Sequence, residues 1–340
     1  MLPLANAGYF VVAPDHRGSG RTESVPPIGR QISFEDDLTP YGLLNRTHDI
    51  VALVYALGYT TATAVVGHDF GSTLAGYCAL VRPDMFRSLV CMSAPYGGAP
   101  DLQINATVEG REASSPSSGT LPAVALNQYL NSLDPPLKHY VVYNSEPTTN
   151  QDIMYAPQGL HAFLRAYYHM KSADWPGNNP HPLTHKSDLR QLPQYYILPI
   201  MSTWPDAVMP HAPSEDEIQC NTWLPDDDLE VYVQEFSRTG FQGGLNRYRA
   251  TFIDESLIDQ LRVFAGKKVE VPAAFISGVK DWGVYQIPGS VEKMRAVLEQ
   301  MTDEDFVLIE DAGHWVQQEK PGAVVEHLLR FFERNAQQRG

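Results

Sequence analysis

A glycine–aspartate–glycine pattern between an apolar run and a helix-compatible run constrains this chain most. The apolar residues 64–66 lead to Gly67, Asp69 follows two positions later, and Gly71 precedes residues 73–80. This spacing predicts a strand, a sharp turn and a helix, with Asp69 on the turn. We expect glycine on both sides because a strained turn leaves no room for side chains. The N-terminus of the following helix favours a negative charge on Asp69.

An aspartate at such a turn indicates a particular chemistry. A serine suits an acyl carbon, because water can cleave the resulting ester, but on a saturated carbon it would form an inert ether. A carboxylate forms an ester on a saturated carbon, which water can hydrolyse, and Asp69 is ionised at neutral pH without a base. The pattern therefore predicts opening of an epoxide or of a carbon–halogen bond, rather than cleavage of esters.

The composition excludes several classes of function. The chain has 340 residues, of which 43% are hydrophobic and 19% charged, which is typical of a globular protein with a large core or two domains. The net charge of −15 argues against nucleic acid and anionic membrane surfaces as partners. Three unpatterned cysteines predict a reducing, cytoplasmic location. No apolar run reaches the roughly 18 residues of a transmembrane helix.

Short apolar segments alternate with helical ones, which predicts a mostly parallel, doubly wound α/β sheet. About five strands are expected, at residues 8–15, 64–68, 86–93, 269–278 and 305–310. Helices are expected at residues 47–57, 73–80, 289–300 and 322–335. The amino-acid composition changes after Gly98, where a Ser-, Pro- and Gly-rich stretch leads into segments rich in Tyr, Trp, Pro and His. We therefore predict a core formed by residues 1–98 and 256–340, with an inserted helical cap over residues 99–255.

The histidines and acidic runs of the predicted cap lack the spacing of metal ligands. His181, His185 and His211 lie among prolines without helical or hairpin ligand spacing. Three consecutive aspartates at residues 226–228 fit the first turn of a helix, where negative charge is favoured. The sequence predicts neither a metal site nor a cofactor.

Three reactive side chains each follow a predicted strand. Asp69, Asp281 and His314 lie just past the ends of the strands at residues 64–68, 269–278 and 305–310. Because the carboxyl ends of parallel strands meet at one edge of a sheet, these side chains are expected to form one site. Their order along the chain is nucleophile, acid, histidine.

These motifs resemble the soluble-type epoxide hydrolases of the α/β-hydrolase superfamily. The resemblance lies in residues 67–71, in Lys280 and Asp281, and in residues 310–315 and 319–321. It implies the α/β-hydrolase fold with a helical cap. Two further segments match the parts of the family's cap that hold tyrosines.

Residues 239–249 are similar to the segment that holds one cap tyrosine, which is Tyr248 here. Residues 139–147 are similar to the segment that holds the other, which is Tyr140, with Tyr143 as its rival.

The resemblance implies a two-step reaction. Asp69 attacks an epoxide carbon while Tyr140 and Tyr248 supply the proton to the ring oxygen, since an alkoxide is a poor leaving group. His314, oriented by Asp281, then activates the water that cleaves the ester to a vicinal diol.

Other groups are expected around the reacting atoms. The resemblance implies that the Phe70 backbone N–H stabilises an oxyanion and that Trp282 and Trp315 adjoin the substrate. Aromatic residues of the predicted cap either line an apolar pocket for a small apolar epoxide or form the cap's own core; these are Trp175, Trp204, Trp223, Tyr195 and Tyr196.

The family's earlier strands and its His-Gly-x-Pro loop, which supplies a second oxyanion donor, do not occur in this sequence. The fold is therefore expected to be N-terminally shortened.

Two alternatives to epoxide hydrolysis remain open. A haloalkane or haloacid dehalogenase would use the same Asp69, His314 and Asp281, but that family often has Trp after the nucleophile, where this chain has Phe70. The other alternative is a non-catalytic hydrolase-like protein that lacks part of the oxyanion hole. The identity of the epoxide and the oligomeric state also remain open.

Overall fold

The computed structural model describes residues 1–22, 29–102 and 121–337 of the chain. The strands of this part are β1 (Val65–His68), β2 (Leu89–Met92), β3 (Leu137–His139), β4 (Ile197–Pro199), β5 (Ala273–Gly278) and β6 (Phe306–Ile309). Four of them form one parallel sheet in the order β1-β2-β5-β6, and β3 pairs with β4 in a separate antiparallel ladder.

The register of the sheet aligns the ends of its strands. Gly67 lies opposite Cys91, Cys91 opposite Phe275, and Phe275 opposite Phe306. Since all four strands are parallel, the loops that follow β1, β5 and β6 leave the sheet at the same edge. This edge is where the three predicted reactive side chains follow their strands.

The helices fall into three groups along the chain. The first group is α1 (Leu2–Asn6), α2 (Leu43–Ala56) and α3 (Phe70–Val81). The second group lies between β2 and β5 and comprises α4 (Pro122–Asn131), α5 (Tyr140–Tyr143), α6 (Thr149–Met154), α7 (Leu160–Lys171), α8 (Trp204–Val208), α9 (Glu215–Cys220), α10 (Asp226–Thr239), α11 (Gln242–Phe252) and α12 (Glu255–Leu261). The third group is α13 (Ser290–Val297), α14 (Val316–Glu319) and α15 (Pro321–Gln337). Short 3-10 turns lie at Thr39–Tyr41, Lys186–Gln191, Met209–His211, Arg262–Phe264, Trp282–Val284 and Asp303–Asp305.

Helices cover both faces of the parallel sheet because its side chains alternate. Cys91 and Phe275 point to the face that packs against α2, α3 and α13. Val90 and Ile276 point to the opposite face, which packs against α15. The buried residues of α15 recur at helical spacing: Val324, Leu328, Phe331 and Phe332. The predicted α/β architecture with a doubly wound parallel sheet is confirmed.

The segment between β2 and β5 builds a hydrophobic core of its own. Among its buried members are residues of α7, α8 and the β3–β4 ladder, such as Phe163, Trp204 and Leu198. The three aspartates at residues 226–228 begin α10, as predicted. We call this segment the helical insertion. The division into a core and a cap at residues 98 and 255 stays a prediction.

The prediction of a strand at residues 8–15 is wrong. In the structure this segment is irregular, and Phe10 and Val12 are 68% and 43% exposed. A β-branched apolar run forms a strand only where a neighbour completes its hydrogen bonds. No strand of the described ranges lies on the outer side of β1, where Val66 is 42% exposed. The described sheet therefore has four strands instead of about five.

Candidate active site

Asp69 occupies the turn between β1 and α3. Its backbone has φ 53°, and α3 begins at the next residue, Phe70. The Phe70 backbone N–H lies beside the Asp69 carboxylate and lowers its pKa, and the Asp69 side chain is 33% exposed to the space above the sheet. A carboxylate is thus held at the helix N-terminus and remains accessible to a ligand.

The two glycines that flank Asp69 differ in their surroundings. A Cβ added to Gly67 would overlap the carbonyl oxygen of Gly71, whereas a Cβ added to Gly71 meets no atom within 4 Å. The expectation of crowding on both sides is therefore wrong at Gly71. Only Gly67 is required by the close approach of the chain.

We expect Gly67→Ala to destabilise the fold by about 3 kcal/mol, at the upper end of overpacking costs, because backbone atoms cannot move aside. Gly71→Ala is the matched control and should change the free energy of unfolding by less than about 0.5 kcal/mol. Urea unfolding of both variants measures the difference. Equal destabilisation of the two would contradict the turn geometry.

His314 is held between two carboxylates. Its Nδ1 lies 3.2 Å from Asp281 Oδ1, and its Nε2 lies 4.0 Å from Asp69 Oδ1. The side chains of His314 and Asp281 are only 3% and 1% exposed. The imidazole therefore faces the nucleophile with one nitrogen and a buried carboxylate with the other.

The backbone of His314 is fixed by three hydrogen bonds. Its N–H donates to the carbonyl oxygen of Lys171 at 2.9 Å. Its carbonyl oxygen accepts from His68 Nε2 at 2.7 Å and from Ser93 Oγ at 3.0 Å. Burial, followed by the neighbouring His314, lowers the pKa of His68 to about 4, so this donor is neutral at neutral pH.

Asp281 is satisfied on both oxygens. Oδ2 accepts from Ser277 Oγ at 3.0 Å, and Oδ1 accepts from the Gly283 N–H at 2.7 Å in addition to facing His314. Burial raises the pKa of Asp281, but the charge and hydrogen bond of His314 and the Gly283 N–H lower it to about 2. Asp281 is thus a permanent carboxylate that orients the imidazole.

Positive charge keeps the nucleophile ionised. Burial raises the pKa of Asp69, but the charges of His314 and then Lys171, and the hydrogen bond of Phe70, bring it below its usual value. Asp69 is therefore ionised at neutral pH, as a nucleophilic carboxylate must be.

Tyr248 and Tyr140 lie together above Asp69. The Tyr248 ring centroid is 4.4 Å from that of Phe70 and 6.0 Å from that of Tyr140. Burial, followed by Tyr140 and Asp69, raises the pKa of Tyr248 well above its usual value, while a hydrogen bond from Asn144 lowers it. Tyr248 therefore retains its proton at neutral pH.

The two rival tyrosines of the helical insertion are in different places. Tyr140 stacks edge-on against Tyr248, and its hydroxyl donates to Gln286 Oε1 at 3.2 Å. The Tyr143 hydroxyl instead donates to Asp152 Oδ2 at 2.7 Å and accepts from the Trp204 backbone N–H. The structure brings Tyr140, and not Tyr143, to the group around Asp69.

A cavity of about 720 Å³ opens above Asp69. Its walls are mostly apolar and aromatic, as in pockets for small molecules, and include Phe70, Phe163, Leu164, Tyr167, Trp204, Tyr248 and Trp315.

Trp315 lies beside His314, with ring centroids 4.7 Å apart, and donates from Nε1 to the Tyr168 carbonyl oxygen. Trp282 is not among the described residues that line the cavity. Its ring packs on the ring of His181 instead. Among the predicted cap aromatics, Trp204 lines the cavity, while Tyr195 and Tyr196 belong to the buried core of the helical insertion.

Sequence reasoning missed three residues of this site. Lys171 ends α7, Asn144 directly follows α5, and His68 precedes the nucleophile. Only His68 had a signal, since it lies within the glycine–aspartate–glycine pattern. Lys171 and Asn144 reach the site through the packing of the helical insertion, which leaves no mark in local sequence.

Across residues 1–22, 29–102 and 121–337, no three His, Cys, Asp or Glu side chains come together in a way that could hold a metal ion. None of the helices in the same ranges combines the length and apolar character needed to cross a membrane. The predicted absence of a cofactor and the cytoplasmic location stay predictions.

Comparison with known proteins identifies related sequences. A family model described as alpha/beta hydrolase fold matches residues 1–321. Epoxide hydrolase A of Mycobacterium tuberculosis is 27% identical over 334 residues, which cover 97% of this chain and 83% of that protein. Bifunctional epoxide hydrolase 2 of Mus musculus is 23% identical over 335 residues, which cover 98% of this chain and 48% of that protein.

Solved structures show the same architecture. An epoxide hydrolase from an endophytic Streptomyces has a TM-score of 0.67 at 25% identity, over 94% of this chain and 79% of that one. Epoxide hydrolase I of potato (Solanum tuberosum) has the same fold, with a TM-score of 0.70 at 24% identity, over 98% of this chain and 87% of that one.

Proposed function

Because this chain belongs to the α/β-hydrolase fold family, we propose that it is an epoxide hydrolase that adds water to a small apolar epoxide and yields a vicinal diol. The observation that carries the proposal is the arrangement around one cavity. An accessible, ionised Asp69 lies 4.0 Å from His314 Nε2 and beneath the proton-bearing Tyr248. Names of the related proteins agree with this reaction.

In the first step, an Asp69 carboxylate oxygen attacks a ring carbon and the carbon–oxygen bond of the epoxide breaks. The electron pair stays on the ring oxygen, which takes the proton of Tyr248. The alkyl group is then held as an ester of Asp69. A protonated phenol is suited to this task because an alkoxide needs a general acid to leave.

In the second step, water attacks the carbonyl carbon of the Asp69 ester while His314 Nε2 accepts its proton. The negative charge develops on the oxygen that faces the Phe70 N–H, which stabilises it. The ester bond then breaks, the released diol oxygen takes the proton from the His314 imidazolium, and Asp69 keeps one oxygen from water. The second proton of that water passes from the Asp69 carboxyl to the phenolate of Tyr248, so that all three groups return to their starting states. Asp281 stabilises the imidazolium through Nδ1.

The assay that tests the proposal is diol formation from styrene oxide by the purified 340-residue chain. A folded chain that forms no diol from styrene oxide or from other small epoxides would leave the non-catalytic alternative. Dehalogenation has less support, because a halide needs a donor and the side chain of Phe70 has none.

The tyrosines should differ in their contribution. We expect Tyr248→Phe to lower kcat by about 10²–10⁴-fold, the range for loss of a general acid. Tyr140→Phe should cost less, because its hydroxyl donates to Gln286 here. Tyr143→Phe is the control, since its hydroxyl binds Asp152 away from Asp69, and should keep wild-type kcat. Steady-state rates on styrene oxide measure all three, and a larger loss at Tyr143 than at Tyr140 would contradict the assignment.

A further inference from the structure

Lys171 buries an ammonium group inside the candidate site. It is the last residue of α7 and is only 7% exposed. Its Nζ lies 5.5, 5.8, 5.5 and 5.6 Å from the ring centroids of Tyr167, Tyr195, Tyr196 and Trp315. Aromatic faces attract a cation, but a buried charge remains costly unless opposite charge lies near it.

Lys171 lies close to the charged groups of the candidate site, since its Nζ is 5.6 Å from the Trp315 ring and that ring is 4.7 Å from the ring of His314. Within the described ranges, Lys171 has no carboxylate at ion-pair distance, yet its charge lowers the pKa of Asp69 and of Asp281, after the larger influence of His314. The carbonyl oxygen of Lys171 also accepts the His314 backbone N–H at 2.9 Å. The same residue therefore anchors the histidine loop and brings a positive charge to it.

The charges around His314 can be counted. Asp69 and Asp281 are negative, and His68 is neutral because burial and His314 lower its pKa to about 4. Glu319 accepts the backbone N–H groups of Gly313 and Trp315 on either side of His314, and burial raises its pKa to about 7.

The phenols around Lys171 and Asp69 are neutral, since burial raises the pKa of Tyr140, Tyr195, Tyr196 and Tyr248 well above the usual value. Apart from the imidazole of His314, Lys171 is the group that carries a positive charge among the residues named around this site.

We propose that Lys171 is a positioning residue whose charge keeps His314 neutral and able to accept a proton in the second step. This inference rests on the proposed function. Once Asp69 has become an ester, Asp281 is the remaining carboxylate beside the imidazole, and Lys171 balances it. Without Lys171, Asp281 would favour the protonated imidazolium, which cannot activate water.

The test compares Lys171→Met, which keeps an unbranched stem in the aromatic cage, with Lys171→Arg, which keeps the charge. In single-turnover experiments, the ester formed in Lys171→Met should break down about tenfold more slowly at pH 7. This is the effect of a one-unit displacement in the titration midpoint of His314. The rate should return towards wild type as the pH is raised. Lys171→Arg should follow the wild-type pH profile, and Lys171→Gln provides a second neutral variant if the Met variant does not fold.

Two results would overturn the inference: ester breakdown slowed equally at every pH, which indicates a structural role only, or no slowing at all.

A second readout does not depend on turnover. The titration midpoint of the His314 ring, followed by NMR in histidine-labelled protein, should be higher in Lys171→Met than in wild type. An unchanged midpoint contradicts the inference, whereas absence of epoxide turnover in wild type contradicts only the proposed function.

Discussion

Asp69→Ala is expected to lower kcat/KM for styrene oxide by at least about 10⁴-fold, because removal of a covalent nucleophile abolishes the step that all later chemistry needs. Asp281, the other carboxylate beside His314, cannot take its place. Asp281 is 2% exposed and is fully engaged by Ser277, Gly283 and His314. Initial rates of diol formation at pH 7 measure the loss.

Asp311→Ala is the matched control for this variant. Asp311 also has positive φ, at 51°, and follows the end of β6, but its side chain is 89% exposed and faces Lys320. The backbone cost of alanine at positive φ is therefore similar in both variants, whereas the carboxylate of Asp311 has no part in the site. Asp311→Ala should keep its activity, and an equal loss in both variants would mean that the Asp69 effect is one of folding.

His314→Gln is expected to stop the reaction halfway. Asp69 can still attack the epoxide, but no base activates the water that cleaves the ester, so steady-state turnover should fall by about 10³-fold or more. The intact protein should gain the mass of one substrate molecule, which mass spectrometry detects within minutes of mixing. Tyr248 and Asp69, which act in the first step, are unchanged in this variant.

The control for His314→Gln is His48→Gln on α2, where the side chain is exposed and is not among the residues that line the cavity above Asp69. This variant should turn over normally and show an unmodified mass. A His314→Gln protein that releases a burst of diol but carries no added mass would contradict the two-step scheme.

The sequence predicted those parts of the site that local structure determines. The β1–turn–α3 unit follows from the alternation of β-branched residues, glycine and helix formers over residues 64–80, and it places Asp69 at positive φ. Asp281 and His314 could be predicted because a parallel sheet brings the ends of β5 and β6 to the same edge.

Other features depend on contacts that local sequence does not encode. Residues 8–15 have strand propensity, but whether they form a strand depends on a neighbouring strand. Lys171 and Asn144 enter the site only because the helical insertion folds over Asp69. Tyr140 and Tyr143 are three positions apart on one short helix, and tertiary packing alone decides which hydroxyl turns to Asp152.

The most direct test of the account is a single turnover with enzyme in excess over styrene oxide in ¹⁸O-labelled water. The proposed ester requires that water attack the carbonyl carbon of Asp69, so the diol takes its new oxygen from the carboxylate. We predict diol without ¹⁸O and an Asp69-containing peptide that is heavier by one ¹⁸O substitution. Diol that carries ¹⁸O after the first turnover, with an unlabelled peptide, would mean direct attack of water on the epoxide and would contradict the role of Asp69 as nucleophile.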